Sequence, residues 1–340
     1  MRSGVGRAGY IGRAKRAVCL FDKKGFSVSA KSENRGMLTP RQKRLIKDNV
    51  MGYLFIAPQL LGVLVFIVFG IVFVISISFT NWNLYGGLNF DNAKWMGLKN
   101  YAYVLNNAYF RHALVTNGFL VLCVPVTIFL SLLLGAFINT RFVFQRALRA
   151  VYFLPNVCNM VAIVMLWTAL FHPRLSPISA FLESIGATAP SWFATSWNAR
   201  LLIYFLWLWR GLGYYAFIYL GALNAVPQHL YESALLDGAG KIRQFFSITI
   251  PMVSSTTFFF LVTGIISAIK EWTYIKLLTG GNPGGTTNVF GMLAYQNAFP
   301  QSGVMQDLGV ASSVSVIMLI IAAAISITNW KLQNKWVYYE

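Results

Sequence analysis

The sequence predicts an all-α membrane protein built on six transmembrane helices. The 340-residue chain is 56% hydrophobic and only 11% charged, with a mean hydropathy of +0.58; a typical soluble chain is about one quarter charged. Six stretches, about 51–80, 113–138, 151–171, 200–224, 253–278 and 308–330, supply the roughly 20 mostly apolar residues that a bilayer-crossing helix needs. Lys and Arg gather in alternate connections between them, the pattern that orients spans in a membrane. The formal net charge of +18 therefore reads as topology and not as a nucleic-acid footprint.

The elements follow in chain order. Residues 1–49 form a basic tail in which Lys and Arg are opposed only by Asp22, Glu33 and Asp48. Its apolar patch, Ala17 to Phe21, is shorter than the about 7–15 residues of a signal-peptide core, so the tail is expected in the cytoplasm. Met37 offers a second candidate start. Residues 50–340 form the membrane domain. Six spans return the C-terminus to the cytoplasm, where Lys331 and Lys335 flank the last span. Arg141, Arg146 and Arg149 fall in the inward connection after span two, as the positive-inside rule requires. The outward connections, 81–112, 172–199 and 279–307, are sparser in basic residues. In them Trp82, Trp95, Trp192 and Trp197 fit the aromatic anchors of a membrane interface. Arg200, at the outer end of span four, reads as a snorkelling anchor.

The inward connection at about 225–251 differs from the others. Pro227 fits the start of a helix that runs through Tyr231 to Asp237, and Gly238 and Gly240 bend the chain. Lys241 to Phe246 can begin a second helical segment, and Pro251 marks the start of span five. A charged, helix-prone segment of this kind cannot lie in hydrocarbon, so a protruding cytoplasmic knob is expected. Ala234, Gly238 and Ala239 leave little bulk, which allows close backbone approach by a partner. Glu232 and Asp237 can offer charge-assisted hydrogen bonds to basic groups. On these residues alone, an ordinary amphipathic loop helix with solvated charges stays open.

The knob resembles the cytoplasmic coupling loop of ABC-importer permeases. That motif reads Glu-Ala-Ala, three residues, Gly, nine residues, Ile-x-Leu-Pro; here Glu232-Ser233-Ala234, Gly238, Ile248, Ile250 and Pro251 match it in spacing. Ser233 and Ile250 depart mildly in type. Asp237-Gly238-Ala239 is the form usual in carbohydrate permeases. The likeness extends over Gly97-Leu98-Lys99-Asn100-Tyr101, Phe153-Leu154-Pro155, Trp209-Arg210-Gly211-Leu212-Gly213 and Leu278-Thr279-Gly280-Gly281. The chain is similar to the first permease subunit of maltose- and glycerol-3-phosphate-type importers. The resemblance implies the type I importer permease fold in a bacterial inner membrane. It implies a second, homologous permease subunit, two ATP-binding cassette subunits and an extracytoplasmic solute-binding protein, with a sugar as cargo. ATP and Mg²⁺ belong to the ATPase partners, and no cofactor is expected in this chain. Glu232, Ser233, Ala234, Asp237, Gly238, Ala239, Ile248 and Pro251 are the implied ATPase-coupling residues.

Charged residues inside the apolar runs are the second candidate site. Arg210 falls within span four, and Lys270 and Glu271 fall within span five. A charge at bilayer depth costs at least about 2.5–3.5 kcal/mol on insertion scales, so each should face a bundle interior or an aqueous path. Two roles stay open for Arg210 and Glu271: a structural ion pair, or groups on the substrate path. Lys270 is near enough to the outer end of its span to reach the surface. The resemblance to maltose-type permeases implies a sugar path lined by Trp207, Arg210, Gly211 and Tyr214 with Gly264, Ala268 and Glu271. The first four fall at i, i+3, i+4 and i+7 and share a helix face. Several differ in type from the maltose pattern, so an acidic sugar or a phosphate-bearing ligand is admitted.

Other chemistries find no support in the residues. No Gly-x-x-x-x-Gly-Lys-Ser/Thr motif occurs, so the chain holds no Walker A site, and Gly280 to Gly285 reads as an outer turn. His112, His172 and His229 are isolated, and Cys19, Cys123 and Cys158 have neither metal-ligand nor disulfide spacing. With no nucleophile–base constellation, the chain is not expected to be an enzyme. An importer for polyamine, phosphate or amino acids is a rival within the fold. A proton- or sodium-coupled carrier is a rival outside it, which should show internal repeats; no convincing repeat is seen.

Overall fold

The computed structural model describes residues 40–83, 93–140, 144–172, 176–188, 190–300 and 306–333. Most of the basic tail, Met37, Arg141 and Lys335 lie outside the described residues. By compactness the chain divides into two units, 1–61 and 62–340. The described part of the first belongs to α1 (Pro40–Gly62), which changes from polar to apolar after Asp48.

The second unit is helical among the described residues. A π-helical stretch, Val63–Val68, leads into α2 (Phe69–Ser78). Short α3 (Lys99–Asn106) precedes the long α4 (Ala108–Asn139). Then follow α5 (Gln145–Val157), α6 (Met160–Leu170), α7 (Pro177–Ser184) and the long α8 (Ser196–Ala225). The knob contains α9 (Gln228–Leu236), α10 (Lys241–Gln244), a π-helical turn at Phe245–Thr249 and α11 (Ile250–Met252). The chain ends with α12 (Ser254–Lys270), α13 (Thr273–Leu278), α14 (Phe290–Ala298) and α15 (Leu308–Leu332). Among the described residues, four helical stretches are long and apolar enough to cross a membrane unbroken: Lys47–Ser78, Ala108–Asn139, Ser196–Ala225 and Leu308–Gln333. Two bent pairs bring the total to six when each pair is counted as one span.

Those bends differ from the two continuous helices expected. Span three is an elbow of 103° between α5 and α6, and span five bends by 64° between Lys241–Met252 and Ser254–Lys270. At the elbow Cys158 is extended, and the Asn159 side chain accepts the Val161 N–H at 2.8 Å. A side-chain acceptor there competes with the helix ladder and caps a new helix instead. Span five also stops early, at Lys270 and not at 278. The Glu271 carboxylate accepts the N–H groups of Trp272 and Thr273, each at 3.0 Å, and so starts α13.

Main-chain groups freed by a break inside a membrane need partners within the protein. Asn117, on α4 and 2% exposed, provides them. Its amide nitrogen donates to the carbonyls of Ala268 at 3.1 Å and Ile269 at 3.3 Å, and its oxygen accepts the Phe290 N–H at 2.9 Å. The end of α2 is treated likewise: Asn100 donates to the carbonyls of Ser78 and Thr80, and the Ser313 hydroxyl donates to Ser78.

Small residues bring the long helices together, since lipid tails give no hydrophobic reason for apolar helices to associate. A methyl group on Gly135 would lie 3.2 Å from Tyr219 Cβ and 3.3 Å from the Ala216 carbonyl oxygen, which sets how closely α4 meets α8. Gly213 lies against the Tyr152 carbonyl and brings α5 onto α8. The core between α4, α8 and α12 holds Leu120, Val124, Ile203, Leu206, Tyr219 and Phe260.

Two expected interface residues have other roles. Trp82 is 4% exposed and meets the Phe73 ring edge-on, so it is a packed residue and not an anchor. Arg200 does not snorkel: its Nε and Nη2 donate to the Thr286 carbonyl at 3.0 and 2.7 Å, holding the glycine-rich outer turn. Trp95 and Trp197 are exposed, as anchors would be.

Candidate functional site

The knob is shaped by the end of α9. Gly238 has a φ of +75°, a conformation that side chains rarely adopt. Its N–H donates to the Leu235 carbonyl at 3.0 Å, and the Ala239 N–H donates to Ala234 at 2.8 Å. This is the paired bonding of a Schellman cap, which ends a helix while satisfying its last carbonyls. Asp237-Gly238-Ala239 is therefore a folded turn before it is anything else. Two further bonds brace it: Gln244 Nε2 donates to the Ala239 carbonyl at 2.8 Å, and the Tyr231 and Thr249 hydroxyls meet at 2.9 Å.

On that frame Glu232, Ser233, Asp237 and Gly238 are exposed, and Ala234 and Ala239 are half-buried beneath the turn. Ile248 and Pro251 lie elsewhere: Ile248 packs on the helical core, and Pro251 sits half-buried in the first turn of α11. Sequence reasoning missed the apolar crown of the knob. Leu235, Leu236, Ile242 and Phe246 are 68%, 89%, 77% and 58% exposed. The signal was available, because large apolar residues on a loop assigned outside the hydrocarbon need a protein partner. Beside them Asn139, Asn224, Gln228, Tyr231 and Glu232 surround a polar hollow of about 350 Å³.

The second site is a cavity of about 450 Å³ between α5, α6, α8 and the α12–α13 segment. The four residues expected from span four, Trp207, Arg210, Gly211 and Tyr214, all line it, with Phe153, Asn156 and Met160 from the elbow. Gly211 lies where a methyl group would approach Thr127 Cγ2 to 2.8 Å, so it also sets helix spacing. Span five differs from expectation by one residue. The cavity is lined by Thr263 and Ser267, whereas Gly264 is buried against Val124 and Tyr215, and Ala268 is 0% exposed with its carbonyl on Asn117. Gly264 and Ala268 permit close packing and do not reach the cavity.

Glu271 is half-buried and caps α13. Arg210 is near enough to influence it electrostatically, yet no ion pair within 4.0 Å joins them among the described residues. The structural ion pair, one of the two roles left open for these residues, is thus not formed. Arg210 Nε is buried without a hydrogen-bond partner, while its main-chain carbonyl accepts Asn156 Nδ2 at 3.2 Å. Tyr274, fully buried, adds a cavity wall that sequence reasoning did not include, and its ring stacks at 6.5 Å on Trp207. No group of three or more His, Cys, Asp or Glu is arranged to hold a metal among the described residues.

An exposed helical knob that leads directly into one wall of a cavity between membrane-length helices defines the class: a membrane transport component. Comparison with known proteins gives the family. Residues 127–332 match the family described as binding-protein-dependent transport system inner membrane component, and the chain belongs to it. The chain is 30% identical over 290 residues, covering 84% of it and 96% of the relative, to the probable ABC transporter permease protein YurN of Bacillus subtilis. It is 29% identical, over 84% and 94% of the two chains, to the trehalose/maltose transport system permease protein MalF of Thermococcus litoralis. The fold matches a bacterial ABC transporter involved in import of the acidic polysaccharide alginate. That match has a TM-score of 0.74 at 19% identity, covering 87% of this chain and 99% of the other.

Proposed function

We propose that this chain is one permease subunit of an ATP-driven sugar or oligosaccharide importer and forms half of the translocation path. One observation carries the reading: Trp207, Tyr214 and Arg210 present two rings and a guanidinium to one cavity. Aromatic faces suit the C–H surfaces of a sugar ring, and the guanidinium suits its hydroxyl or acidic oxygens. Thr263 and Ser267 add hydroxyls from the opposite wall. The trehalose/maltose and alginate relatives make a saccharide the favoured cargo, delivered by a binding protein outside the membrane.

The chain has both termini in the cytoplasm. Its knob docks on one of two ATP-binding cassette subunits, which hold ATP and Mg²⁺, and a second, homologous permease completes the path. Glu232, Asp237 and the apolar crown form the docking surface, while the Gly238 cap keeps that surface in shape. Force received at α9 passes through α10 and α11 into α12, which carries Thr263 and Ser267, so movement of the knob moves a cavity wall. Sugar and nucleotide are coupled because each binds the inward- and outward-facing states with different affinity.

The test is uptake of labelled saccharide by proteoliposomes holding the full complex with its binding protein. Trp207→Ala and Arg210→Ala should each lower uptake at least tenfold while assembly and basal ATP hydrolysis stay intact. Unchanged uptake in both variants would overturn the assignment of this cavity.

A further inference from the structure

The cavity beside α8 is unbalanced in charge. Among the described residues that line it, Arg210 alone is charged. It stands midway along α8, fourteen residues after Ser196 and fifteen before Ala225. Each half of that helix rises about 21–23 Å, further than an arginine side chain reaches. The charge is therefore answered inside the protein or by what the cavity holds. The protein answers it incompletely. Arg210 Nε is buried without a hydrogen-bond partner, and no carboxylate lies within 4.0 Å of the guanidinium among the described residues.

A carboxylate is nearby but is turned to another task. Glu271 acts electrostatically on Arg210, yet it does not line the cavity. Its Oε1 accepts the N–H groups of Trp272 and Thr273, each at 3.0 Å. A carboxylate free to swing onto the guanidinium would occupy its fork of donors and close the site to other anions. Held at the start of α13, Glu271 tempers the positive charge and leaves those donors open.

Two rings flank the charge. Trp207 lies three residues before Arg210 and Tyr214 four residues after it, and all three line the cavity. In helical rise the rings stand about 4.5 Å and 6 Å from the arginine, on either side of it. Each is packed on a second ring, Trp207 on Tyr274 at 6.5 Å and Tyr214 on Tyr215 at 5.3 Å. A chain of sugar units that covers both rings spans about 10 Å of the helix and carries its middle over the guanidinium.

We propose that the cargo is an anionic oligosaccharide whose carboxylate or phosphate oxygens are taken by Arg210 between the two rings. The inference rests on the saccharide reading above and narrows it to an acid. A planar fork of N–H donors matches the edge of either anion. Hydrogen bonds to charged groups exceed neutral ones by roughly tenfold in binding constant. Glu271 weakens that hold from behind, which suits a path that must release what it binds.

The experiment uses the complete importer in nanodiscs, without nucleotide or binding protein, so that the membrane path alone is sampled. Saturation-transfer NMR compares a galacturonic-acid trisaccharide with its methyl-esterified form, which has the same rings and no charge. The acid should bind wild type at least tenfold tighter than the ester. Arg210→Gln should abolish that difference while the ester still binds, and Arg210→Lys should keep part of it. Glu271→Gln retains an oxygen to cap α13 and removes the opposing charge, so it should tighten the acid and not the ester, a split that a purely structural role would not give. Glucose 6-phosphate that displaces the acid from wild type, but gains nothing over glucose in Arg210→Gln, would support the site with a phosphate ester as its anion. Equal binding of acid and ester to wild type would overturn the proposal and leave a cavity for neutral sugars. A preference for the acid that survives Arg210→Gln would also overturn it, by placing the recognising charge on another chain. If Arg210→Gln loses both forms, Glu271→Gln decides, and an unchanged acid affinity there counts against the proposal. If neither form binds wild type, the saccharide reading of the cavity falls and the proposal with it.

Discussion

Replacing Asn117 by Leu should unfasten the outer end of span five. The substitution keeps side-chain size nearly constant, so packing around α4 changes little. What it removes is the donor to Ala268 and Ile269 and the acceptor for Phe290 N–H. The 3.3 Å bond is the weakest and shares its nitrogen with the 3.1 Å bond, so two full bonds are counted. Each buried main-chain group left unsatisfied costs about 1–3 kcal/mol. Side-chain hydrogen bonds between membrane helices average only about 0.6 kcal/mol, because the reference state in lipid finds substitutes. At the end of a broken helix such substitutes are scarce, so the expected loss is about 2–3 kcal/mol, near the lower-middle of the buried range. For a chain of this size, at about 2.1 cal/mol/K of unfolding entropy per residue, that corresponds to a melting midpoint roughly 3–4 °C lower. Thermal unfolding of the detergent-solubilised complex, followed by intrinsic fluorescence, reads this directly. Asn117→Asp should be worse than Leu, since it retains the acceptor but loses both donors and buries a charge. A midpoint within about 1 °C of wild type for Asn117→Leu, outside the shift just derived, would refute the fastening role.

Three further outcomes follow from the same geometry. Gly238→Ala forces a methyl group into a left-handed backbone at a cost of about 1–2 kcal/mol, and should loosen the knob. Co-purification of the ATPase should fall, with Gly238→Asn milder than Ala. Leu236→Asp changes a side chain that is 89% exposed, so the complex-free chain should keep its thermal midpoint while ATPase co-purification drops at least tenfold. Gly213→Ala puts a methyl group into the Tyr152 carbonyl; size-exclusion chromatography should show lost or aggregated protein, because α5 cannot stay on α8.

Much of this architecture was legible beforehand. Length and apolarity located the six membrane segments, and the polar interruption at 225–251 marked the knob. The helix face carrying Trp207, Arg210, Gly211 and Tyr214 was also readable, because aromatic and charged residues stand out in an apolar helix. The α12 face was harder. Gly264 and Ala268 recur at helical spacing just as Thr263 and Ser267 do, and small residues serve either a cavity or close packing. In hydrocarbon both sides of a helix are apolar, so hydrophobic periodicity does not say which side faces inward. The breaks were hidden for a different reason. Asn159 and Glu271 each act through one side chain that accepts one or two main-chain N–H groups, and one polar residue barely alters a hydropathy average. Trp82 and Arg200 were read from composition at the membrane boundary, while their partners, Phe73 and Thr286, come from packing across the fold.

The 103° elbow in span three has a consequence for how such a cavity can be altered. An α6 of 11 residues rises only about 16 Å, so the segment cannot cross alone, and its corner falls where Asn156 and Met160 line the cavity. Irregular backbone at membrane depth is tolerated only where it is shielded by protein or lines an aqueous path. In the reading proposed above, main-chain groups at the corner then face the cargo beside the side chains of Asn156 and Met160. Peptide groups are the same whatever residue occupies the position. On that reading, side-chain scanning will under-report this part of the wall, and a preference for hydroxylated cargo can persist while the residues around it drift.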